Sequence, residues 1–297
     1  MPALTAKEPK HHYIPEFYLD RWVGENRQLI EFCRRYEGVV ARPTAPGGTG
    51  YVRGLYRLPD AAPSEAYVIE TGLMSDIDTW ASRALARMMT DGAAPGTMDR
   101  RMALGWCQFL YSLIIRNPEH LGRIKEKLKS LDALAVLENV RKDYPKLRRP
   151  EDPETFDEYK AAFSLNPIEV PATRVLPVLL KSKRVMAVLA SLQWRTATVN
   201  TAKYPLLTSD RPVIMSNGLS GPDAHIVLPI SPRRLFIATK DEQTFQDIIS
   251  GSMDLLAQTV NNQVAQQAYR FVYGADDKQL RFVANRLGKR VWSSPLG

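Results

Sequence analysis

Met102, Leu104, Trp106, Phe109, Leu110, Leu113 and Ile114 crowd one short stretch near the middle of the chain. They occupy more than one stripe of an α-helix, and a helix that is apolar on most sides has to be buried. The rest of the chain must therefore wrap this segment. Thr97 reads as its N-cap with Asp99 in the first turn, which predicts a helix from Thr97 to Arg116. Upstream, Ser75 predicts a cap for a helix carrying Ile77, Trp80, Ala84, Leu85 and Met88 on one face. Downstream, Asn117-Pro118-Glu119 combines a cap, a first-position proline and a first-turn acid. It predicts a new helix running through the charged residues of IKEKLKSL. The proline-rich stretch 143–171 reads as an irregular connection with one helical turn at FDEYKAAF.

Beyond that connection the chain changes character. Residues 173–192 predict a helix. LQWRTATVN, PLLTSDRPVIMSN, HIVLPISP and RRLFIATK then read as strands punctuated by Pro, Gly and Asn. Met253, Leu256, Val260, Val264 and Phe271 recur at helical spacing. The amides Asn261-Asn262-Gln263 and Gln266-Gln267 are expected on that helix's wet face, and QLRFVANRL as a final strand. Before the helices, QLIEFCRR (28–35) alternates like a half-buried strand, VVARPTAPGGTGYVRG reads as loop, and GLYRL as a short strand. With no βαβ alternation, the fold class is α+β: central helices and a mainly antiparallel sheet in the C-terminal half. The expected organisation is one domain over 1–297, or two closely packed halves. In the second case residues 1–150, with the N-terminal motif, are the mainly helical half and 172–297 the sheet-rich one.

Several function classes drop out. The longest apolar run falls short of a membrane span. MPALTAKEPKHH lacks a signal peptide's apolar core, so a cytoplasmic location is expected. Cys33 and Cys107 are too few for a disulfide framework and read as reduced, buried thiols. GGTG at 47–50 has no Gly-Lys-Ser/Thr behind it, and no GxSxG, CxxC or HExxH occurs. The net charge is +8, and residues 170–240 carry all of it. Ten basic residues there face only Asp210 and Asp223. A basic surface of this kind attracts phosphates, which makes nucleic acid the candidate partner; the competing reading is a solvated face.

The most distinctive string is His11-His12-Tyr13-Ile14-Pro15-Glu16-Phe17-Tyr18-Leu19, closing at Trp22. It resembles the opening of a bacterial family, domain of unknown function 4238. That family has an HHYxPxFYLxxW-type start, a mid-chain helix ending in Arg-x-Pro (here Arg116-Asn117-Pro118), and two strand motifs. These are matched by Thr208-Ser209-Asp210-Arg211-Pro212 and Pro229-Ile230-Ser231-Pro232. The family brings no established activity with it. HHYIP is also similar to the first half of an HNH-type nuclease motif, but no histidine follows until His120.

The chemistry is therefore read from the residues. Neighbouring histidines in an extended segment point to opposite sides, so one can face a site while the other packs. The favoured reading is a hydrolase acting on nucleic acid or another phosphodiester. His11, His12 and Asp210 would be the catalytic groups and Glu70 a ligand to a divalent metal ion. Arg116, Arg211, Arg233 and Arg234 would hold the substrate. The front motif is expected to pack back on the late sheet and bring a histidine to Asp210, Glu70 or Arg116. The alternative is a non-catalytic module that binds a polyanion or a protein. In it one histidine pins the N-terminus and Asp210 makes an Asx-type turn.

Overall fold

The computed structural model describes residues 8–58, 61–62, 65–90, 98–130, 138, 141–145, 148, 150, 152–162, 172–216, 218–219 and 221–289. The apolar central segment is a helix spanning Arg100–Ile115, and Gly105–Ile115 are buried except for Gln108. Asp99 supplies the cap, accepting the Met102 N–H at 2.8 Å; Thr97 lies outside the described residues. A second helix, Ser75–Met89, packs across it, burying Ile77, Ala81, Ala84, Leu85 and Met88. The two approach closely because Gly105 has no side chain: a Cβ there would overlap the Cβ of Trp80. Ser75 does not cap its helix. It is already helical, because the chain enters through a π-helical turn over Ile69–Met74 that extends the helix upstream and carries Glu70. The next helix starts as read, at Pro118, with Asn117 Oδ1 accepting the His120 N–H at 2.8 Å.

The strands form antiparallel sheets, mostly from the C-terminal half, so the fold is α+β. One sheet joins both ends of the chain in the order β3-β2-β10-β6: Gly38–Thr44, Leu29–Arg35, Phe271–Gly274 and Thr208–Ser209. Another runs β5-β9-β8-β7: Gln193–Thr198, Arg234–Thr239, His225–Ser231 and Ile214–Met215. A small pair joins β1 (Lys10–His12) to β4 (Tyr51–Arg53).

Several local readings are corrected. The Pro- and Gly-rich stretch after residue 37 contains β3 and β4; Pro43 is tolerated because β3 is a sheet edge. GLYRL is a turn, and QLRFVANRL contains a short helix, Leu280–Ala284. The last strand is β10, so Phe271 belongs to sheet and the C-terminal helix stops at Gln267. Residues 173–192 split into two helices, Ala172–Leu180 and Lys183–Ser191. Asn261 and Gln267 are buried rather than wet. Asn261 Oδ1 accepts the Leu207 N–H at 2.7 Å, and Gln267 Nε2 donates to the carbonyls of Arg211 and Val213. These amides satisfy the bent backbone around β6.

The front segment does return to the late strands. The Tyr18 hydroxyl donates to the Pro229 carbonyl at 2.7 Å and meets Thr208 Oγ1 at 2.7 Å. Trp22 Nε1 donates to the Leu206 carbonyl at 2.8 Å. GGTG serves this docking: the Gly50 carbonyl accepts the N–H groups of Tyr13 and Ile14. Gly50 itself has φ +63°, with Ile14 close against it.

Candidate functional site

Strand periodicity separates the two histidines as expected. His11 turns inward and is fully buried, its Nδ1 accepting the Tyr56 N–H at 2.9 Å. Its ring stacks on Tyr56 at 5.5 Å and meets Tyr67 edge-on. Burial lowers its pKa. His11 thus anchors the segment to the core.

His12 turns the other way, into a cleft of about 380 Å³ that Glu16, Phe17, Glu70, Asp78, Thr79 and Ser82 also line. Its Nε2 lies 3.4 Å from Glu16 Oε1, one helical turn along the string. Burial lowers its pKa, Glu16 and the Gly47 backbone oppose that shift, and Lys10 and Arg116 add to it. Glu70 arrives from the π-helical turn, and its carboxylate accepts the backbone N–H of His12. Burial pushes the Glu70 carboxyl up to about 7. Arg116 pulls against that shift and Asp78 adds to it.

Arg116 is buried beneath these groups. It caps the central helix at its C-terminus, as the Arg-Asn-Pro sequence suggests. Its Nε donates to the Tyr13 carbonyl at 2.9 Å and its Nη1 to Asp78 Oδ1 at 3.1 Å. The Arg116 carbonyl accepts the Tyr56 hydroxyl at 2.9 Å. One arginine therefore ties the front strand to both central helices. Burial raises the Asp78 pKa and Arg116 opposes it.

Three polar atoms in this cluster are buried without a hydrogen-bond partner among the described residues: His12 Nε2, Glu70 Oε2 and Arg116 Nη2. Other buried side chains among the described residues share this state, His11 Nε2 and Trp106 Nε1 among them; what sets His12 and Glu70 apart is that both line the open cleft. Among the described residues no three His, Cys, Asp or Glu side chains gather as a metal would require. Glu70 instead feels the charge of a guanidinium.

The other expected site residues lie elsewhere. Asp210 is buried at the end of β6 with its carboxylate taken up by backbone: Tyr269 N–H at 2.8 Å, Arg270 N–H at 2.6 Å and Phe271 N–H at 3.1 Å. Burial pushes its carboxyl up to about 6 against the pull of those donors. Arg211 lies 3.8 Å from Glu119 and covers the Tyr269 ring. Arg233 Nη1 donates to the Ala202 carbonyl at 2.5 Å, and Arg234 Nη1 to the Met88 carbonyl at 2.7 Å. Asp210, Arg233 and Arg234 thus bond backbone groups, and none of the four lines the cleft at His12. Glu16 and Asp78 are the residues the sequence reading missed. Glu16 was visible as the acid one turn after His12, whereas Asp78 had no signal beyond a first-turn acid.

The protein is thus an α+β protein whose histidine string is built into the core and delivers one imidazole to an acidic cleft. The chain belongs to the family described as protein of unknown function (DUF4238), whose model matches residues 10–278. No curated protein and no solved structure matches it significantly.

Proposed function

We propose that the protein is a hydrolase whose acid–base pair is Glu70 and His12. The observation that supports this reading is that His12 and Glu70 line one open cleft, each with a buried polar atom that makes no hydrogen bond among the described residues, and that the buried Arg116 guanidinium acts on the charge of both. Their chemistry is complementary. A carboxyl with a pKa near 7 is a competent proton donor at neutral pH. An imidazole whose pKa is held below its usual value is neutral there and able to take a proton from water. The guanidinium, fixed by Tyr13 and Asp78, offers a rigid N–H to an oxygen that gains negative charge. Water deprotonated at His12 attacks the scissile centre, Glu70 protonates the leaving group, and Arg116 steadies the charge between them.

The charge of the cleft bears on the substrate. Glu16, Glu70 and Asp78 line it, with Arg116 as the buried cation beneath. A neutral ester, amide or glycoside enters without repulsion. A phosphodiester meets carboxylates that repel it, so the neutral substrates suit the cleft better.

The test is hydrolysis of 4-nitrophenyl acetate, a 4-nitrophenyl glycoside panel and bis(4-nitrophenyl) phosphate, the last with and without Mn²⁺. The expected result is turnover with a bell-shaped pH profile, its acid limb set by His12 below 6.5 and its basic limb near 7 by Glu70. Glu70→Gln and His12→Asn should each abolish it without changing the melting temperature by more than a few degrees. Turnover that survives both substitutions, or none with any substrate, overturns the reading. The second outcome leaves the module that binds a polyanion or protein.

A further inference from the structure

A separate cavity of about 580 Å³ opens between the loop at residues 203–204, the Met253–Gln267 helix and the short Leu280–Ala284 helix. We propose that it is a binding site for a nucleotide, a planar polar base carrying a phosphate. None of the residues of the cleft at His12 contributes to it.

The chemistry of its wall is sorted by depth. The floor is a closed network. Asn261 Nδ2 donates to Gln279 Oε1 at 3.1 Å and to the Pro205 carbonyl at 2.9 Å, and Gln279 Nε2 donates to the same carbonyl at 2.9 Å. Those two amides are satisfied and buried, so they shape the cavity rigidly. Above them stand two more amides, Gln258 and Asn285, which are exposed and make no side-chain hydrogen bond among the described residues. An amide carries both a donor and an acceptor, the pairing that reads the edge of a base.

Two rings complete the wall. Tyr204 is 44% exposed, too much for a ring whose role is to fill core. Phe282 is half-buried, with the Arg286 guanidinium 3.9 Å from its centroid on one side. Stacking on such rings stabilises bases whatever their identity. The rim carries Lys203, Lys278 and Arg281, all exposed, against one lining carboxylate, Asp254. Asp254 is engaged by the Lys203 N–H at 2.6 Å, and Asp276 lies 3.5 Å from the Lys278 ammonium. The cations still outnumber the acids, and their position at the mouth suits a phosphate that stays partly hydrated. The volume lies in the range of small-molecule sites.

The test is calorimetric titration of the full chain with AMP, GMP, CMP and UMP at low salt, with adenosine and inorganic phosphate as partial probes. At least one mononucleotide should bind saturably, and at least tenfold more tightly than either partial probe. Lys203→Ala with Arg281→Ala should weaken it tenfold or more, and Tyr204→Ala should weaken it while leaving phosphate unaffected. These three side chains are exposed, so the variants should melt with the wild type. A 5′-phosphorylated single-stranded oligonucleotide separates the two sources of the same chemistry. Equal or weaker binding assigns the site to free nucleotides, and much tighter binding assigns it to a strand end. No saturable binding of any mononucleotide or of the oligonucleotide, or binding indifferent to both sets of substitutions, overturns the proposal. Hydrolytic activity at the His12 cleft does not enter this readout, so the two proposals fail separately.

Discussion

Asp210→Ala is expected to unfold the protein's C-terminal strand rather than disarm a catalyst. The carboxylate accepts three consecutive backbone N–H groups, from Tyr269, Arg270 and Phe271, and thereby turns the chain out of its last long helix into β10. Alanine leaves all three donors without an acceptor in a buried place, at about 1–3 kcal/mol each. The low end applies to the first two because Tyr269 and Arg270 are themselves exposed, whereas Phe271 is half-buried. The expected loss is about 3–5 kcal/mol, a large part of the stability of an ordinary domain. Asparagine keeps one oxygen and turns an NH₂ toward a donor, so Asp210→Asn should cost about 1–2 kcal/mol. Urea unfolding at pH 7 measures both, read as a shift in midpoint at constant slope. A loss below about 1 kcal/mol for alanine would refute the structural role. So would an asparagine variant that keeps its midpoint but loses an activity the wild type shows.

Trp106 is buried between Phe109, at 5.1 Å, and Phe236, at 5.3 Å. Trp106→Ala should cost about 3–5 kcal/mol in the same urea assay; wild-type stability would show that this face is not core. Because Arg233 and Arg234 each hold a backbone carbonyl, replacing both by alanine should lower the melting temperature and leave any salt dependence of nucleic-acid binding unchanged. A salt slope that falls by about one per arginine would instead put them on phosphates. The Glu70 carboxyl titrates near 7 in the folded protein against 4.5 as its reference, so the folded state holds the proton more tightly. Its contribution to stability is therefore greatest below pH 4.5 and is lost as pH rises to 7. Glu70→Gln should flatten that part of the stability–pH curve, and an unchanged slope would show that Glu70 titrates normally.

The sequence revealed the helical centre because apolar density, caps and the Asn-Pro start are local signals, and Arg100–Ile115 and Pro118 obey them. It showed β2 and the segment of β6 as strands but hid their neighbours, the edge strand β3 with its Pro43 and β10 at the far end of the chain. Local propensity carries no record of such pairing. Strand alternation in the histidine string foretold that the two rings part, His11 into the core and His12 into the cleft. Arg116 and Glu70 were visible only as suspicions, because what joins them to His12 is a backbone N–H and a buried charge. The partners of Asp210 were out of reach of the sequence for the same reason. A lone acid among arginines suggests chemistry, but its partners are main-chain groups that no sequence pattern displays. Arg211, Arg233 and Arg234 are spent on a carboxylate, a ring and carbonyls, so net charge overstated what the segment offers to solvent.

The central claim is that the front motif builds a cleft in which a carboxyl and an imidazole exchange their usual order of protonation. NMR titration settles it, following the Glu70 side-chain carboxyl carbon and the His12 ring proton shifts in the intact chain between pH 4 and 9. Glu70→Gln and His12→Asn serve to assign the signals. The account predicts that Glu70 titrates near 7 and His12 below 6.5, so that between these values the acid holds its proton while the imidazole is neutral. Glu70 titrating near 4.5 with His12 at or above 6.5 would contradict it, and would return the cleft to an ordinary solvated ion pair.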